Sequence, residues 1–366
     1  MGMTPEELNG RLRKVFEGKS PPDKVLLMNT GNSDPNFFYL TGFTSGLFEY
    51  SYLVADKSTV RIFTSALEYD TAVQQKVKGM DIIRIDEVKK FREQMKQLLN
   101  NSTIGINEWF MPYAIYDSMM KRYKPKKTVD VTKQLTNARL VKSMEEVKTM
   151  RKAIGITKWA QILIQKEFKE GMTEQELAAK FDALSASLGS EEPSFKTIVC
   201  FGANAALPHH SPDKTKLKYG DFILIDAGAK VQNYCSDITR TTIFGGDKSR
   251  IPDYEKKQEM LKIVKDAQLA AMKKIKPGAT GSAIHLEAQR IIDTAANGKY
   301  KGTFIHALGH SLGIEVHDGP GFSPGAKQLL KPGMVITDEP GIYVEGFGGV
   351  RIEDDILITE KGAEVL

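Results

Sequence analysis

The sequence predicts a mixed α/β protein of two domains, and three observations support this fold class. The chain has 366 residues, 41% hydrophobic and 27% charged, a globular composition in a chain too long for one ordinary domain. Its first 130 residues alternate short apolar runs with helical patterns, as an α/β layer does. The remainder repeats one layout of strand and carboxylate. We expect an N-terminal domain over 1–130 and a second domain over 140–366 with an internal pseudo-twofold repeat.

The first domain is predicted to begin with a helix. Thr4-Pro5-Glu6-Glu7 is a capping box with proline at the first helical position, so the helix is expected to reach about Glu17. Apolar runs then predict strands at Lys24–Met28, Phe37–Leu40, Ser51–Ala55, Val60–Thr64, Asp81–Ile85 and Thr103–Ile106. Helical patterns lie near Ala66–Val77, Glu87–Leu99 and Pro112–Tyr123. Asn36–Phe43 is expected to be an aromatic core strand ending in a glycine turn, and nothing in this domain gathers groups for chemistry.

The domain boundary is predicted near Val129–Val141, and the second domain should open as helices on a sheet. Ser143-Met-Glu-Glu146 and Thr173-Glu-Gln-Glu176 are capping boxes for helices that end near Lys169 and Leu188. The elements expected next are a strand at Phe195–Phe201, a hairpin, helices at Tyr254–Ile275 and Ser282–Ala295, and a second hairpin.

The two hairpins carry the repeated layout. In each, a Lys-x-Gly turn leads into an apolar strand with a carboxylate six positions after the glycine, from Gly220 to Asp226 and from Gly333 to Glu339. A second carboxylate follows on each returning strand, at Asp237 and Glu353. We therefore expect four carboxylates at one centre.

Histidine is concentrated in the same domain. Five of the six histidines lie in two short segments, with His285 alone on a predicted helix; the five are His209, His210, His306, His310 and His317. A lone histidine is more often structural, but this clustering beside four patterned carboxylates predicts a functional role, for His310 in particular.

Carboxylates delivered by apolar strands predict a metal centre. Burying four of them together is prohibitive unless cations neutralise the charge, and two divalent ions would do so. Oxygen donors with one imidazole suit Mn, Co, Fe or Zn, whereas the lack of Cys ligands argues against structural zinc and the imidazole argues against Ca or Mg alone. Two such ions roughly 3.5–4 Å apart lower the pKa of a shared water. The alternative, in which each carboxylate caps a turn or pairs with a surface cation, explains a single Asp better than a repeated set.

Charge and cysteine content exclude several classes of protein. The net charge of +5 is small, and the basic run Lys121–Lys127 predicts a solvated face or hinge in the linker region rather than a nucleic-acid patch. Cys200 and Cys235 cannot form a disulfide framework, and no apolar run has membrane-spanning length. The charged start Met3-Thr-Pro-Glu-Glu7 leads us to expect no signal peptide. We expect a cytoplasmic protein with no nucleic-acid or membrane partner.

Five motifs of the second domain together resemble a known family. They are Asp226-Ala-Gly228, Tyr234-x-x-Asp237-x-x-Arg240-Thr241, Gly309-His310-x-x-Gly313-x-x-x-His317, Glu339-Pro-Gly-Ile-Tyr343 and Gly349-Val-Arg-Ile-Glu353-Asp. In this order they resemble the metal-ligand motifs of the metallopeptidases prolidase (Xaa-Pro dipeptidase), aminopeptidase P and methionine aminopeptidase. Asn36-x-x-Tyr39-Leu-Thr-Gly42 resembles a motif of the N-terminal domain shared by prolidase, aminopeptidase P and creatinase. The resemblance implies a creatinase-like α/β domain followed by a pita-bread catalytic domain.

The resemblance also implies a role for each site residue. Asp226 would be a terminal ligand of one metal, Asp237 and Glu353 would bridge, and His310 and Glu339 would bind the second. His209 and His317 would contact substrate or move protons, with His306 and Arg351 in support and Glu339 taking a proton from the attacking water. The two ions are expected to be Mn or Co, with Zn or Fe as alternatives. One departure, Ala307-Leu-Gly-His-Ser311 in place of the usual Gly-Thr-Gly-His-Gly, would alter substrate clearance without changing a ligand.

Side-chain alternation adds two expectations. Arg351 alternates with Glu353 and Asp355 on one strand face and could pair with a ligand carboxylate, whereas Arg240 and Asp354 point the other way and should be structural. Adjacent side chains of an extended segment point to opposite sides, so only one of His209 and His210 can face the metals, and the motif selects His209.

The activity that the resemblance implies is hydrolysis of the bond before proline in a di- or oligopeptide by a homodimeric exopeptidase. The short chain, with only 14 positions from Glu339 to Glu353, favours the dipeptidase. Aminopeptidase P shares every motif and stays the alternative. A binding scaffold or a metal-free creatinase-like enzyme is the alternative of another class, and the five filled ligand positions count against it.

Overall fold

The structure is a computed structural model that describes residues 3–31 and 33–366. The chain forms two compact units, Met1–Arg139 and Leu140–Leu366. Residues 131–139, which lie between the two predicted domains, belong to the first unit. In the described part of the chain, no helix combines the length and the apolar character needed to cross a membrane.

Over residues 3–31 and 33–139, the first unit contains one six-stranded sheet and six helices. In chain order the elements are α1 (Pro5–Val15), β1 (Lys24–Met28), α2 (Pro35–Thr41), β2 (Tyr52–Ala55), β3 (Val60–Thr64), α3 (Ala66–Gln75), β4 (Met80–Arg84), α4 (Val88–Leu99), β5 (Thr103–Ile106), α5 (Tyr113–Tyr123), β6 (Lys127–Asp130) and α6 (Thr132–Leu140). The strand order is β4-β3-β2-β1-β5-β6, with β2 antiparallel to both of its neighbours and the other pairs parallel. Side chains of β1, β2, β3 and β5 pack with α4 and α5 in one apolar core.

The predicted strand Phe37–Leu40 is wrong, because these residues lie in helix α2. Asp34 caps the helix by accepting from the Asn36 backbone N–H at 2.9 Å, Pro35 occupies the first turn, and Gly42 ends it with φ of +63°. A short apolar run has the same sequence pattern in a strand as in a buried helix. The capping residues on either side therefore determine that this segment is a helix. The segment is buried, as expected of core.

The basic run Lys121–Lys127 is not a linker. It forms the last turn of α5, where Lys121 and Arg122 interact favourably with the helix dipole, and then the start of β6. Strand β6 was not predicted because, as an edge strand with partly exposed residues, it lacks an apolar pattern.

The second unit consists of two copies of one arrangement. Its elements are α7 (Met144–Leu163), α8 (Glu174–Ser187), β7 (Glu192–Pro193), β8 (Ile198–Phe201), β9 (Phe222–Ala227), β10 (Ala229–Val231), β11 (Tyr234–Cys235), β12 (Ile238–Ile243), α9 (Tyr254–Lys274), α10 (Gly281–Thr294), β13 (Val335–Asp338), β14 (Gly341–Val344), β15 (Gly348–Arg351), β16 (Asp354–Thr359) and β17 (Gly362–Val365). Of the three predicted capping boxes, those at Ser143 and Thr173 are formed. At Thr4 the Glu7 N–H donates to the Thr4 hydroxyl at 3.2 Å, but the Glu7 carboxylate pairs with Arg11.

The repeat predicted from the sequence is visible in the strand pairing. In the first copy β9 pairs antiparallel with β12 and the intervening β10 pairs with β11. In the second copy β13 pairs antiparallel with β16 and the intervening β14 pairs with β15. Two long helices precede each set, α7 and α8 in one copy and α9 and α10 in the other.

Strand β9 is buried along its whole length and separates two apolar cores. Ile223 and Ile225 face the core formed with α7 and α8, while Phe222 and Leu224 face the core formed with α9 and α10. By alternation, Asp226 continues the face of Phe222 and Leu224. The strand therefore delivers a carboxylate into the interior of the unit.

Candidate metal centre and catalytic cavity

One cavity of about 410 Å³ in the second unit gathers every residue that the sequence assigned to the site. The nine are Asp226, Asp237, His310, Glu339, Glu353, His209, His306, His317 and Arg351. The remaining lining residues are Phe195, Ile198, Pro208, Ala307, Gly309 and Val316.

The carboxylates arrive from the ends of the repeated strands. Asp226 is the penultimate residue of β9, and Glu339 directly follows β13. Asp237 and Glu353 lie on the segments just before β12 and β16. The two copies are joined here, because the Asp237 N–H donates to Asp355 Oδ2 at 3.2 Å and the Glu353 N–H donates to the Thr239 carbonyl at 3.1 Å.

His310 is held against β13. The Thr337 N–H donates to the His310 carbonyl at 2.9 Å, and the His310 N–H donates to Thr337 Oγ1 at 3.0 Å. The neighbouring Gly309 must be glycine, since a Cβ there would lie 1.9 Å from the Thr337 carbonyl oxygen. This close approach fixes the imidazole beside Glu339, with His310 Nε2 3.6 Å from Glu339 Oε1.

Several carboxylate oxygens face the cavity without a protein partner. Among the described residues, Asp226 Oδ1, Asp237 Oδ1 and Glu353 Oε1 are buried and accept no hydrogen bond. Ligand atoms of Asp237, His310 and Glu353 lie within 4.8 Å of one another. Buried acceptors of this kind are costly unless a cation binds them, so the geometry fits metal ligation.

The electrostatics support the same conclusion. Burial raises the pKa of Asp237, Glu339 and Glu353, and repulsion among neighbouring carboxylates adds to the effect; the pKa of Glu353 reaches about 8. Burial, followed by the nearby His317, lowers the pKa of His310 to about 4, which leaves a neutral imidazole at neutral pH. Divalent ions would reverse the penalty on the carboxylates and accept the neutral imidazole as a ligand, so these residues fit such ions.

Arg351 is buried and pairs with one of the predicted ligands. Its Nη2 lies 2.5 Å from Asp226 Oδ2, and its Nε donates to Thr239 Oγ1 at 3.1 Å. The Thr239 hydroxyl in turn donates to Glu353 Oε2 at 2.6 Å. The guanidinium therefore orients Asp226 directly and Glu353 through a threonine, which is the carboxylate pairing expected from strand alternation.

Tyr343 belongs to the site, although sequence analysis assigned it no role. Its hydroxyl accepts from Arg351 Nη1 at 3.0 Å and lies 2.7 Å from His306 Nε2. His306 Nδ1 lies 2.7 Å from the Ala307 carbonyl, which can only accept, so Nδ1 carries the proton and Nε2 accepts from Tyr343. A sequence signal existed, because Tyr343 ends the motif Glu339-Pro-Gly-Ile-Tyr343, which contributes a predicted ligand.

His209 and His317 are the exposed histidines of the cavity wall. The His317 ring lies 4.2 Å from that of His310 at an angle of 66°. Burial, and then the charge of His209, lowers the pKa of His317. Both imidazoles are placed where a substrate in the cavity can reach them.

His210 does not line the cavity, as expected, but the reason differs from the one predicted. The segment is not extended: the His210 N–H donates to the Leu207 carbonyl at 3.1 Å in a turn that holds Pro208 and His209 at its centre. The His210 ring instead lies 2.8 Å from Glu174 Oε2.

The structure also locates four other residues for which the sequence made predictions. Arg240 Nη2 donates to Asp354 Oδ1 at 2.6 Å, and neither residue lines the cavity, which agrees with a structural role. Of the two departures from the usual motif, Ala307 borders the cavity, whereas Ser311 is buried and donates to the Pro320 carbonyl.

Comparison with known proteins gives two family matches. The model for Metallopeptidase family M24 matches residues 148–360, and the model for the Creatinase/Prolidase N-terminal domain matches residues 11–141. The chain is 35% identical over 361 residues to a Xaa-Pro dipeptidase of Pyrococcus horikoshii, covering 98% of this chain and 97% of that protein.

Solved structures are similar over nearly the whole chain. A Xaa-Pro dipeptidase from Bacillus anthracis superposes with a TM-score of 0.87 at 30% identity, covering 99% of this chain and 97% of that one. An X-Pro aminopeptidase from Thermotoga maritima superposes with a TM-score of 0.85 at 30% identity, covering 94% of this chain and 95% of that one.

Proposed function

This chain belongs to metallopeptidase family M24, and we propose that it is a Xaa-Pro dipeptidase that hydrolyses the bond between an N-terminal residue and proline. One observation carries the proposal: a single cavity holds four carboxylates, a neutral imidazole and two exposed histidines. Its volume of about 410 Å³ lies within the range of small-molecule sites, as a dipeptide requires. The preference for proline comes from the similarity to Xaa-Pro dipeptidases.

Divalent metal ions are implied by the family and fit the residues present. We propose two ions, with Asp226 on one, His310 and Glu339 on the other, and Asp237 and Glu353 shared. When bound, such ions act as Lewis acids and make water a nucleophile at neutral pH. The proposed metals are Mn or Co, with Zn or Fe as alternatives, since oxygen donors and one imidazole suit all four.

The protein groups around the ligands have distinct tasks. Glu339 would accept the proton of the attacking water; burial, followed by the charge of Glu353, raises its pKa, so cations that offset the neighbouring charges are needed to keep it ionised and able to accept. His209 and His317 stand at the cavity wall, where an N–H can donate to the oxygen that develops negative charge. Arg351 holds Asp226 in place, and the Ala307 carbonyl fixes the tautomer of His306, whose Nε2 then accepts from Tyr343.

The hairpin between Glu339 and Glu353 supports the dipeptidase over aminopeptidase P. Strands Gly341–Val344 and Gly348–Arg351 occupy nearly all of this interval and are joined by three residues. No inserted loop is present there to shape a site for longer peptides. The similarity to the Thermotoga maritima aminopeptidase keeps that activity as the second candidate.

An assay with two substrates tests the proposal. Purified, metal-loaded protein is given a Xaa-Pro dipeptide and a Xaa-Pro-Pro tripeptide, and release of the first residue is measured. We expect the dipeptide to be cleaved with the higher kcat/KM. Faster cleavage of the tripeptide would make the protein an aminopeptidase P, and cleavage of neither would revive the binding-scaffold or creatinase-like alternatives.

Two further features stay predictions from the sequence. The family resemblance predicts a homodimer, which sedimentation of the purified protein would check. A cytoplasmic location is predicted from the two unpaired cysteines, and cell fractionation would check it.

A further inference from the structure

We propose that Glu174 and His210, which lie outside the cavity, are positioning residues that set the place of His209 in it. The inference rests on the proposed function, because it assigns a role in that site. It adds residues to which neither the motifs nor the cavity lining pointed.

Glu174 is a fully buried carboxylate at the first position of α8. Its Oε1 accepts from the Phe201 N–H at 2.7 Å and from Asn204 Nδ2 at 2.9 Å. Its Oε2 accepts from His210 Nε2 at 2.8 Å and from the Asp213 N–H at 3.1 Å. All four donors come from one segment, 201–213, so a single side chain ties that segment to the helix.

The segment held in this way carries His209. The Leu207 N–H donates to the Asn204 carbonyl at 3.0 Å, and the His210 N–H donates to the Leu207 carbonyl at 3.1 Å. Pro208 occupies the second position of the resulting turn, which its fixed φ favours. His209 therefore stands between two residues, Asn204 and His210, that are both bonded to Glu174.

The His209 side chain has no anchor of its own. Within the described residues its imidazole makes no hydrogen bond, and it is exposed at the cavity wall. The position of the ring is consequently set by the backbone turn, and the turn is set by Glu174. Displacement of such a ring by about 1 Å is enough to reduce turnover by about 100-fold.

A metal site at this place fits the contacts less well. Glu174, His210 and Asp213 have ligand atoms within 4.8 Å of one another. However, a carboxylate offers about four lone-pair positions, and four donors already occupy those of Glu174. The carboxylate acts as a hub for hydrogen bonds, with no lone pair left for a cation.

A double-mutant cycle with a Xaa-Pro dipeptide tests the proposal. We expect Glu174→Gln to lower kcat by about 10- to 100-fold with both metals retained, because the amide replaces one acceptor by a donor. In a His209→Ala background the same change should add little, since the residue it positions is gone. Glu176→Gln is the matched control. Glu176 lies on the same helix, and its carboxylate accepts from the N–H of the capping residue Thr173, so this change should leave kcat unchanged.

His210 supplies a second, conservative comparison. His210→Gln can keep a donor near the position of Nε2 and should retain most of the activity, whereas His210→Ala should lose it in the same way as Glu174→Gln. The proposal would be overturned if the fold-loss in kcat of either variant multiplied with that of His209→Ala in the double mutant. It would also be overturned if both His210→Ala and Glu174→Gln lost metal. If Glu174→Gln does not fold, the two His210 variants still decide.

A measurement without substrate separates this inference from the proposed function. In protein loaded with Zn²⁺ and labelled with ¹⁵N-histidine, the His209 ring signal is identified by its absence from His209→Ala. It should shift in Glu174→Gln and His210→Ala but not in Glu176→Gln. An unmoved signal would refute the positioning role even if the dipeptide is cleaved, whereas a shifted signal in a protein that cleaves no Xaa-Pro peptide would refute only the proposed function.

Discussion

Metal removal should make the stability of the fold depend on pH in a specific direction. In the metal-free protein, burial and like charges raise the pKa of Glu353 from its usual 4.5 to about 8. The folded state thus holds this proton more tightly than the unfolded state does. The contribution of Glu353 to stability is therefore fully present below about pH 4.5 and is lost as the pH rises toward 8.

The histidines limit the pH range in which the effect of Glu353 on stability can be measured by itself. Burial lowers the pKa of His306 and His310 to about 4, so their contribution is complete above pH 6.5 and is lost as the pH falls toward 4. Between pH 4.5 and 6.5 the two trends oppose each other. The buried thiols lie outside the range, because burial raises the pKa of Cys235 to about 12 and raises that of Cys200 as well.

The window from pH 6.5 to 8 therefore isolates the carboxylates. The slope of about 1.4 kcal/mol per pH unit falls off as the pH approaches the pKa of about 8, so Glu353 alone costs about 1.6 kcal/mol over this range. Asp237 and Glu339, whose pKa values are also raised by burial first, act in the same direction. We expect the metal-free protein to lose at least about 1.6 kcal/mol of unfolding free energy between these pH values.

Urea unfolding at pH 6.5, 7.25 and 8, with chelator and with saturating Mn²⁺, measures the effect. The metal-loaded protein should show a nearly flat profile, since bound cations keep the carboxylates ionised. Glu353→Gln, which keeps the shape without the charge, should be shallower than the wild type when metal-free. A metal-free profile that is flat or rises with pH would refute the reasoning about the buried acidic cluster.

Four substitutions extend the account to single residues. Asp237→Ala and Glu353→Ala should each abolish peptidase activity, because each is proposed to serve both ions; substantial turnover by either would show the bridging assignment to be wrong. His209→Ala should keep the fold and both metals yet lose roughly 3–4 kcal/mol of transition-state stabilisation in kcat/KM, the scale of one oxyanion donor; loss of metal would make it a ligand instead. Tyr343→Phe leaves partners at Arg351 and His306 unsatisfied and should lower the unfolding free energy by about 1–3 kcal/mol in urea, and an unchanged value would contradict the buried network.

Features of the fold that depend on residues close together in the sequence were predicted better than features that depend on tertiary contacts. Capping boxes depend on residues three positions apart, and those at Ser143 and Thr173 form as expected. The apolar run that ends in Asp226 was expected to deliver a carboxylate into the interior, and strand β9 does so. The strand expected at Phe37–Leu40 failed because a four-residue apolar run does not distinguish a strand from a buried helix.

The candidate site shows the same division. Its ligand candidates could be found because the repeat delivers carboxylates at matching positions, and the cavity contains all of them. Tyr343 and Glu174 were missed because their importance lies in contacts with residues distant in sequence, such as Glu174 with His210 36 positions later. A carboxylate at the start of a helix is ordinary in sequence, and only the packed loop shows what it holds.

Activity measured against metal occupancy tests the central claim most directly. Protein stripped by a chelator is titrated with Mn²⁺ or Co²⁺ while hydrolysis of a Xaa-Pro dipeptide and bound metal are followed together. We predict no activity in the stripped protein and a rise that is complete at two ions per chain. Full activity with one ion, or with none, would contradict the two-metal peptidase.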